Sequence, residues 1–424
     1  MSNIQDFDLG NGVNFHYIPN SKFKTTRISF CMFYPLEKQT ASQNAIIPNL
    51  LTHSCAKYPS LLSLSRRLEE LYGASVSPAT EKIGDMQVIE ISAQSINNQF
   101  IPDGSDNILE LTRLLCSMIF EPDLENGEFK SNNIELEKRQ LKEEIMAIMN
   151  DKKLYARKRC LEIMCEKEKF GISTLGEIDD VEKITPQSTL KAWQNLLSRA
   201  HIEITLVGNC SYTQIINEFK THFSNINRSD VHEYSCEIAQ AQETAKEVTE
   251  HKNVVQCKLA MGLRVKNASQ KVNYPAMKVM NALLGGTPQS KLFVNVREKL
   301  SLCYYCASRY LKQKRIMLIE SGVEQKNIQK AKESILEQLK DIQLGNFSDS
   351  DLANTKLFII QGLGKIVDSL SSLSSWYLTQ SVESKCVSPE EHIKEIESVT
   401  REQIIEAANQ IGPDTIYILS GKEE

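Results

Sequence analysis

The stretch Glu177-Ile178-Asp179-Asp180-Val181-Glu182-Lys183-Ile184-Thr185-Pro186 is rewritten 215 positions later as His392-Ile393-Lys394-Glu395-Ile396-Glu397-Ser398-Val399-Thr400-Arg401. At that offset Ile178 meets Ile393, Val181 meets Ile396, Glu182 meets Glu397, Ile184 meets Val399 and Thr185 meets Thr400. Each copy runs through a short helical pattern into an apolar closing strand, Ile202 to Gly208 in the first and Thr415 to Gly421 in the second. A cap, a helix and a strand that recur in order argue for an internal duplication. Two domains are expected, over residues 1–228 and 245–424, with a polar, acidic linker from about Asn225 to Asn253 that has room for a strand.

Composition narrows the possibilities. With 424 residues, each half is long enough to fold without a disulfide or a metal, burying about 70% of its unfolded surface. A net charge of −5 argues against nucleic-acid binding, which calls for a basic stripe. No uncharged apolar run approaches the roughly 20 residues of a membrane span, so no membrane role is expected. The opening Met-Ser-Asn-Ile-Gln-Asp lacks the basic-then-apolar order of a secretory signal, and a cytoplasmic location is expected. The eleven cysteines, odd in number and irregular in spacing, fit reduced thiols. Cys303-Tyr304-Tyr305-Cys306 is the only C-x-x-C. It falls in a predicted strand, where positions i and i+3 face opposite sides, and so reads as two buried apolar side chains rather than a redox or metal pair.

The periodicities give the fold class. Predicted strands cover Val13 to Ile18, Thr25 to Tyr34 and Met86 to Ser92, and predicted helices lie around Asn44 to His53, Ser60 to Tyr72 and Ile108 to Phe120. One helical signal runs unbroken by Gly or Pro from Gly127 to Gly171. The second half repeats the order. It has a strand through Cys257 to Val265, helices at Tyr274 to Leu284 and Ser290 to Lys299, strands at Cys303 to Arg309 and Ile316 to Ser321, then helices at Asn327 to Gln343 and Ser348 to Val367. Strands and helices that do not strictly alternate indicate α+β, each domain a largely antiparallel sheet with helices packed on one face.

Two motifs of the second half carry a family resemblance: Gly285-Gly286-Thr287-Pro288-Gln289-Ser290-Lys291-Leu292-Phe293, and Val296-Arg297-Glu298-Lys299-Leu300-Ser301-Leu302-Cys303-Tyr304. With Arg67 to Ala74 and Glu137 to Ile145 in the first half, they resemble insulinase-type (inverzincin) peptidases, specifically the branch of the mitochondrial processing peptidase. The likeness spans nearly the whole chain. Ser301 stands where that family usually has Gly, and Cys303 where Ala is common.

Active members of that family carry H-x-x-E-H on a helix, in which two histidines bind zinc and the glutamate is the base. The equivalent stretch here is Ala45-Ile46-Ile47-Pro48-Asn49, with no His and no Glu. No two of the seven histidines lie within one helical turn of each other. Glu137, which matches the family's distant ligand, is therefore expected to be a solvated or salt-bridged helix residue. The segment Glu135 to Glu144 reads as a solvent-facing helix laced with i,i+4 pairs. No metal, no cofactor and no catalytic residue is expected on this chain alone.

The resemblance implies a different contribution. An Arg and a Tyr of the second-domain motif bind the substrate backbone in the family, and the matching residues are Arg297 and Tyr304. The chain then fits the zinc-free subunit of a two-chain, clam-shaped peptidase, closing a chamber, binding extended peptide and supplying this pair to a zinc-bearing paralogous partner. The rival reading is an inert scaffold or peptide-binding homodimer with no part in proteolysis. Plainer roles also exist for single residues. Arg297 could be a helix-end charge paired with Glu298 or Glu320, Tyr304 an ordinary strand aromatic, and Gly285-Gly286 a helix C-cap. His53-Ser54-Cys55 does not read as a nucleophile with its base, because residues two apart seldom converge.

Overall fold

The computed structural model describes residues 4–383 and 386–421 and divides the chain into two compact units, each assembled from three stretches. The first unit takes Met1–Ile145, Ile172–Ser235 and Ile366–Cys386; the second takes Met146–Gly171, Cys236–Lys365 and Val387–Glu424.

The first unit opens with β1 (Gln5–Gly10), β2 (Val13–Pro19) and β3 (Thr25–Pro35), then α1 (Lys38–His53) and α2 (Leu61–Glu70). Next come β4 (Ser75–Ile83), β5 (Met86–Ile96), α3 (Asn107–Phe120) and a small hairpin of β6 (Leu124–Glu125) and β7 (Glu128–Phe129). The long helical signal forms two helices, α4 (Ser131–Asn150) and α5 (Lys152–Met164), the latter counted with the second unit. Asp151 makes the break without Gly or Pro: its carboxylate accepts from the amides of Lys153 and Leu154, capping a new helix. The unit continues with α6 (Ile178–Glu182), α7 (Pro186–Arg199), β8 (His201–Gly208) and α8 (Thr213–Phe223).

The second unit contains β9 (Lys246–His251), β10 (Cys257–Val265) and α9 (Tyr274–Asn281), then two π-helical segments, Ala282–Gly286 and Leu292–Lys299. It proceeds through β11 (Cys303–Leu311), β12 (Ile316–Val323), α10 (Ile328–Gln343) and α11 (Asp349–Gly364). Helix α12 (Leu370–Ser381) belongs to the first unit, and α13 (Pro389–Ser398), α14 (Arg401–Asn409) and β13 (Ile411–Ser420) complete the second.

The two sheets have one topology. The first is ordered β1-β2-β8-β3-β5-β4 and the second β11-β12-β10-β13-β9. Read from the opposite end, the second repeats β2-β8-β3-β5-β4 strand for strand, and β1 is an addition. Each sheet is antiparallel except at one place, where the closing strand runs parallel to its neighbour: β8 beside β2, and β13 beside β9. Strand β9 comes out of the acidic linker, and its half-exposed, alternating pattern suits an edge.

The duplicated stretch does the same physical work twice. Thr185 and Thr400 each close a capping box, with Ser188 and with Gln403, a contribution of about 1 kcal/mol per cap. Val181, Ile184, Ile396 and Val399 are all buried. In the closing strands, Ile204 pairs with Phe30 and Phe15, and Ile418 with Leu259 and Thr249, each on the face away from the single covering helix.

Most helices of the first unit lie on one face of its sheet, where Phe30 meets Phe120, Phe219 and Phe223. The opposite face is covered by α12. Leu370, Leu373 and Tyr377 pack on Ile18 and Val207, and Leu378 packs on Cys31 and Phe33. Each such burial is worth roughly 1.5–3 kcal/mol, enough to hold the helix down. In the second unit α5 has this place, with Tyr155, Ala156 and Cys160 on Ala260, Leu318, Tyr417 and Leu419. Among the described residues no helix is long and apolar enough to cross a membrane.

A charged cluster is built into the first sheet where β1, β2 and β8 adjoin. Glu203 is buried and accepts from His201 Nε2 at 2.6 Å, from Asn14 Nδ2 at 3.1 Å and from His16 Nε2. His16 also donates from Nδ1 to Asp6 at 2.6 Å. Burial alone would raise the Glu203 pKa, but hydrogen bonds from His16 and His201 override it and hold the carboxyl at about 2. Burial likewise opposes a charge on His16, and Glu203 and Asp6 outweigh it and raise the imidazole above 6.5. The lowered carboxyl contributes stability that is present above its ordinary 4.5 and lost as pH falls toward 2. The raised imidazole contributes stability that is full below 6.5 and lost as pH rises through its folded value. Urea unfolding should therefore show its highest midpoint between about pH 4.5 and 6.5. Glu203→Gln should lose on the order of 3 kcal/mol there and flatten the acid limb, and an unchanged acid limb would count against the cluster.

Candidate functional site

Helix α1 carries Ala45 to Asn49, the stretch that the resemblance equates with the zinc-binding motif. Ala45 and Ile46 are buried and have no donor atom, and Pro48 stands inside the helix with no side chain able to act as a base. Asn49 lies beside Glu137 of α4, where it opposes the rise that burial gives the carboxyl, but among the described residues neither Glu137 oxygen has a hydrogen-bond partner. That proximity sets position 49 beside the carboxylate that the resemblance equates with the family's distant zinc ligand. Zinc requires about four donors at close to tetrahedral geometry. Here the one ion-pair partner of Glu137 among the described residues is His53 Nδ1, one turn along from Asn49, at 3.4 Å from Oε1. Among the described residues no group of three or more His, Cys, Asp or Glu is placed to hold a metal ion. The residues do not fit zinc.

Glu137 departs from expectation in one respect. It is salt-bridged but not solvated: its exposure is 0%, and it lies in the buried stripe Ile134, Glu137, Lys138, Leu141 and Ile145 of α4. The spacing of that stripe carried the signal in the sequence. Only the outer face of this helix is the solvent-facing, ion-paired surface expected: Lys142 pairs with Glu182, and exposed Glu135 takes the ammonium of the otherwise buried Lys138. Burial raises the Glu137 carboxyl pKa, opposed by His53 and Asn49. His53 and Cys55 do not converge either. His53 is engaged with Glu137, Ser54 donates to Asp123, and burial pushes the Cys55 thiol up.

The second-unit motif is built around a close approach and a bulge. A Cβ on Gly285 would lie 2.6 Å from the Ser308 amide nitrogen of β11 and 2.7 Å from Leu292 Cδ1. Gly285 therefore serves close packing within a π-turn, and not the left-handed cap expected of it. Ser301 has φ 49°, the left-handed region that favours glycine, so a Gly at this position would relieve backbone strain of about 1–2 kcal/mol.

Arg297 lies in the last turn of the second π-helical segment. Its guanidinium sits 4.6 Å from the Phe293 ring centroid and 3.5 Å from Glu298. Glu320, the other partner considered, pairs instead with Arg157 and Arg309. Tyr304 stands at the start of β11 with 62% of its surface exposed. The reason is the bulge: Cys303 pairs with Val323 and Tyr305 with Gly322, leaving Tyr304 without a rung. The same bulge overturns the reading of the C-x-x-C. With one residue unpaired, Cys303 and Cys306 share a buried face of the strand as neighbours. Nothing in the amino-acid pattern announces that bulge.

A duplicated α+β chain that keeps the helix pair of a zinc site without its donors is a metallopeptidase fold without the metal centre. The family described as "Peptidase M16 inactive domain" matches residues 183–357. "Probable inactive metalloprotease YmfF" of Bacillus subtilis (strain 168) is 33% identical over 412 residues, 97% of this chain and 96% of that protein. The chain belongs to the peptidase M16 (insulinase) family, as a homologue with no metal-binding group among the described residues. Among solved structures, a conserved protein from Enterococcus faecalis V583 is 27% identical with a TM-score of 0.91, all of both chains being covered. A protease from Helicobacter pylori, 14% identical, matches over 99% of each chain with a TM-score of 0.79. A peptidase M16 inactive domain from Pseudomonas fluorescens, also 14% identical, matches over 99% of each with a TM-score of 0.76.

Two outcomes are expected at the relic site. Elemental analysis of the chain purified with zinc in the buffer, then dialysed, should find no stoichiometric metal. Glu137→Gln should be at least as stable as the parent at pH 7, with an advantage that grows as pH rises above 4.5, since the amide removes an ionisation that burial opposes. One equivalent of chelator-removable zinc, or a marked destabilisation by Glu137→Gln, would show that a metal or charge is needed there.

Proposed function

We propose that this chain is the non-catalytic subunit of a two-chain zinc peptidase, binding extended peptide and presenting Arg297 and Tyr304 to substrate held by a zinc-bearing partner. The observation that carries this reading is the contrast between the two motifs. The metal site has no donor set and its carboxylate is sealed, whereas the Arg/Tyr motif is open: the Arg297 side chain is 40% exposed and Tyr304 62% exposed. An exposed phenol and guanidinium on neighbouring segments suit recognition of peptide carbonyls and of the oxyanion formed from one. A groove of about 220 Å³ lies beside the glycine-containing loop, lined by Thr287, Pro288, Gln289, Asn354, Leu357 and Phe358. Leu357 and Phe358 are half-exposed, which suits an apolar side chain of a bound peptide.

The test begins with the native complex. The chain is isolated with whatever co-purifies, the partner is identified, and the pair is reconstituted from purified parts. Tyr304→Phe should lower kcat of peptide cleavage by between 10-fold and the 10²–10³-fold typical of a lost oxyanion donor, with assembly unchanged. Arg297→Ala should mainly raise KM, because a group that grips peptide carbonyls acts in ground and transition states alike. Unchanged kinetics in both variants, with assembly intact, or a homodimer as the only complex recovered, would instead favour the inert scaffold or peptide-binding homodimer.

A further inference from the structure

The bulge at the start of β11 has chemical consequences for its two cysteines. In a regular strand, residues i and i+3 are about 10 Å apart and on opposite faces. Here Cys303 pairs with Val323 and Cys306 with Ser321, so the cysteines stand only two rungs apart on one face. Two rungs span about 6.6 Å, near the upper end of the roughly 4.4–6.8 Å Cα separation that a disulfide bridges, and closure needs the bulged backbone to shift so that the two Cβ atoms come to about 4 Å. Both side chains are nearly buried, at 8% and 4%, so neither has to leave the interior to meet the other. The only residue pushed outward is Tyr304.

The local electrostatics separate the two thiols. Hydrogen bonding from Cys306 acts against burial, and with the Ser321 hydroxyl and the Arg297 guanidinium it brings the Cys303 thiol down to about 7. The same hydrogen bond, together with burial, pushes Cys306 up. Elsewhere in the unit, burial pushes Cys160 and Cys165 up to about 12. A low-pKa thiol beside a second, protonated one in an electropositive setting is the arrangement of a reactive cysteine with its resolving partner.

We propose that Cys303 and Cys306 form a reactive dithiol that hydrogen peroxide oxidises to an intrastrand disulfide. The Cys303 thiolate attacks one peroxide oxygen; the O–O bond breaks, Cys303 becomes a sulfenic acid, and the departing hydroxide takes a proton to leave as water. The Cys306 sulfur then attacks the sulfenic sulfur. An S–S bond forms, the S–O bond breaks, and the hydroxide leaves with the Cys306 proton as a second water. Two thiols lose two electrons and one peroxide becomes two waters. Closing the S–S bond fastens the two rungs that flank Tyr304 and fixes the position of its phenol. That last consequence rests on the reading of Tyr304 as a substrate-binding group, whereas the dithiol itself does not.

The full chain, reduced and desalted, is treated with graded hydrogen peroxide, alkylated in denaturant and mapped by mass spectrometry. The expected product is a single peptide containing both residues, lighter by two hydrogens, refractory to alkylation and restored by dithiothreitol. Cys306→Ser should stop at the sulfenic acid, trapped on Cys303 by dimedone. In the unoxidised chain, iodoacetamide should label Cys303 with a half-maximal rate near pH 7 while Cys160 and Cys165 stay unlabelled. At pH 7 a thiol of pKa about 7 has about fifty times the thiolate of one at 9, and about a tenth of its nucleophilicity, a net gain of roughly fivefold. Peroxide that oxidises the exposed Cys386 while Cys303 and Cys306 both remain free thiols would overturn the proposal, as would Cys303 labelling only above pH 9. The wild-type chain carries both readouts, so neither depends on a variant folding.

Discussion

In each unit the strand that comes last in its repeat lies in the middle of the sheet. Strand β8 enters between β2 and β3, and β13 between β9 and β10. Each closing strand hydrogen-bonds on both edges, parallel to one neighbour and antiparallel to the other. Neither sheet is continuous without it. The duplicated stretch that precedes each closing strand is therefore under a strict demand. Its capped helix must deliver the chain to the right slot in the right register, because a slip of one residue would turn Ile204 or Ile418 from one face of its sheet to the other. Long-range closure of this kind is slow to form and resists piecemeal opening once formed.

The first unit shows how a fold tolerates the loss of its chemistry. Two buried glutamates sit in the same unit under opposite conditions. Glu203 is surrounded by donors and holds its charge comfortably; Glu137 has a partly exposed histidine at 3.4 Å and, among the described residues, no hydrogen bond to either oxygen. The difference lies entirely in the hydrogen-bond supply, since both are out of water. A helix pair shaped around an ion can survive without the ion if one partner for the remaining carboxylate is found nearby, and His53 is that partner. The second unit kept more of its motif geometry, including a left-handed residue at 301 now borne by serine and a glycine at 285 packed against β11.

Much of this was legible in advance. The repeat, its caps, the two closing strands and the α+β class followed from periodicity and from Thr185 and Thr400 at matching positions. The absence of metal donors at Ala45 to Asn49 was equally readable, since it depends on residue identity and not on geometry. Other features were hidden for identifiable reasons. The helical signal after Gly127 breaks at Asp151 because a side chain caps a new helix, which periodicity alone does not register. Glu137 was assigned to the wet face of α4 from its charged neighbours, although its spacing from Ile134 and Leu141 places it on the dry one. The shared face of Cys303 and Cys306 is hidden in the sequence because alternation assumes an unbroken ladder, and one unpaired residue reverses it. Helix α12, rich in serine and weakly amphipathic, gave no pattern to follow.

The order of segments along the chain also constrains synthesis. Helix α12, which covers the second face of the first sheet, is translated after most of the second unit, and α5, which covers the second sheet, is translated before that sheet exists. On the ribosome the first sheet must wait with one apolar face bare while some 150 further residues emerge, and α5 must wait with nothing to cover. Neither unit can therefore be completed before segments of the other have been made. A gene split within the acidic linker would separate each sheet from its own covering helix.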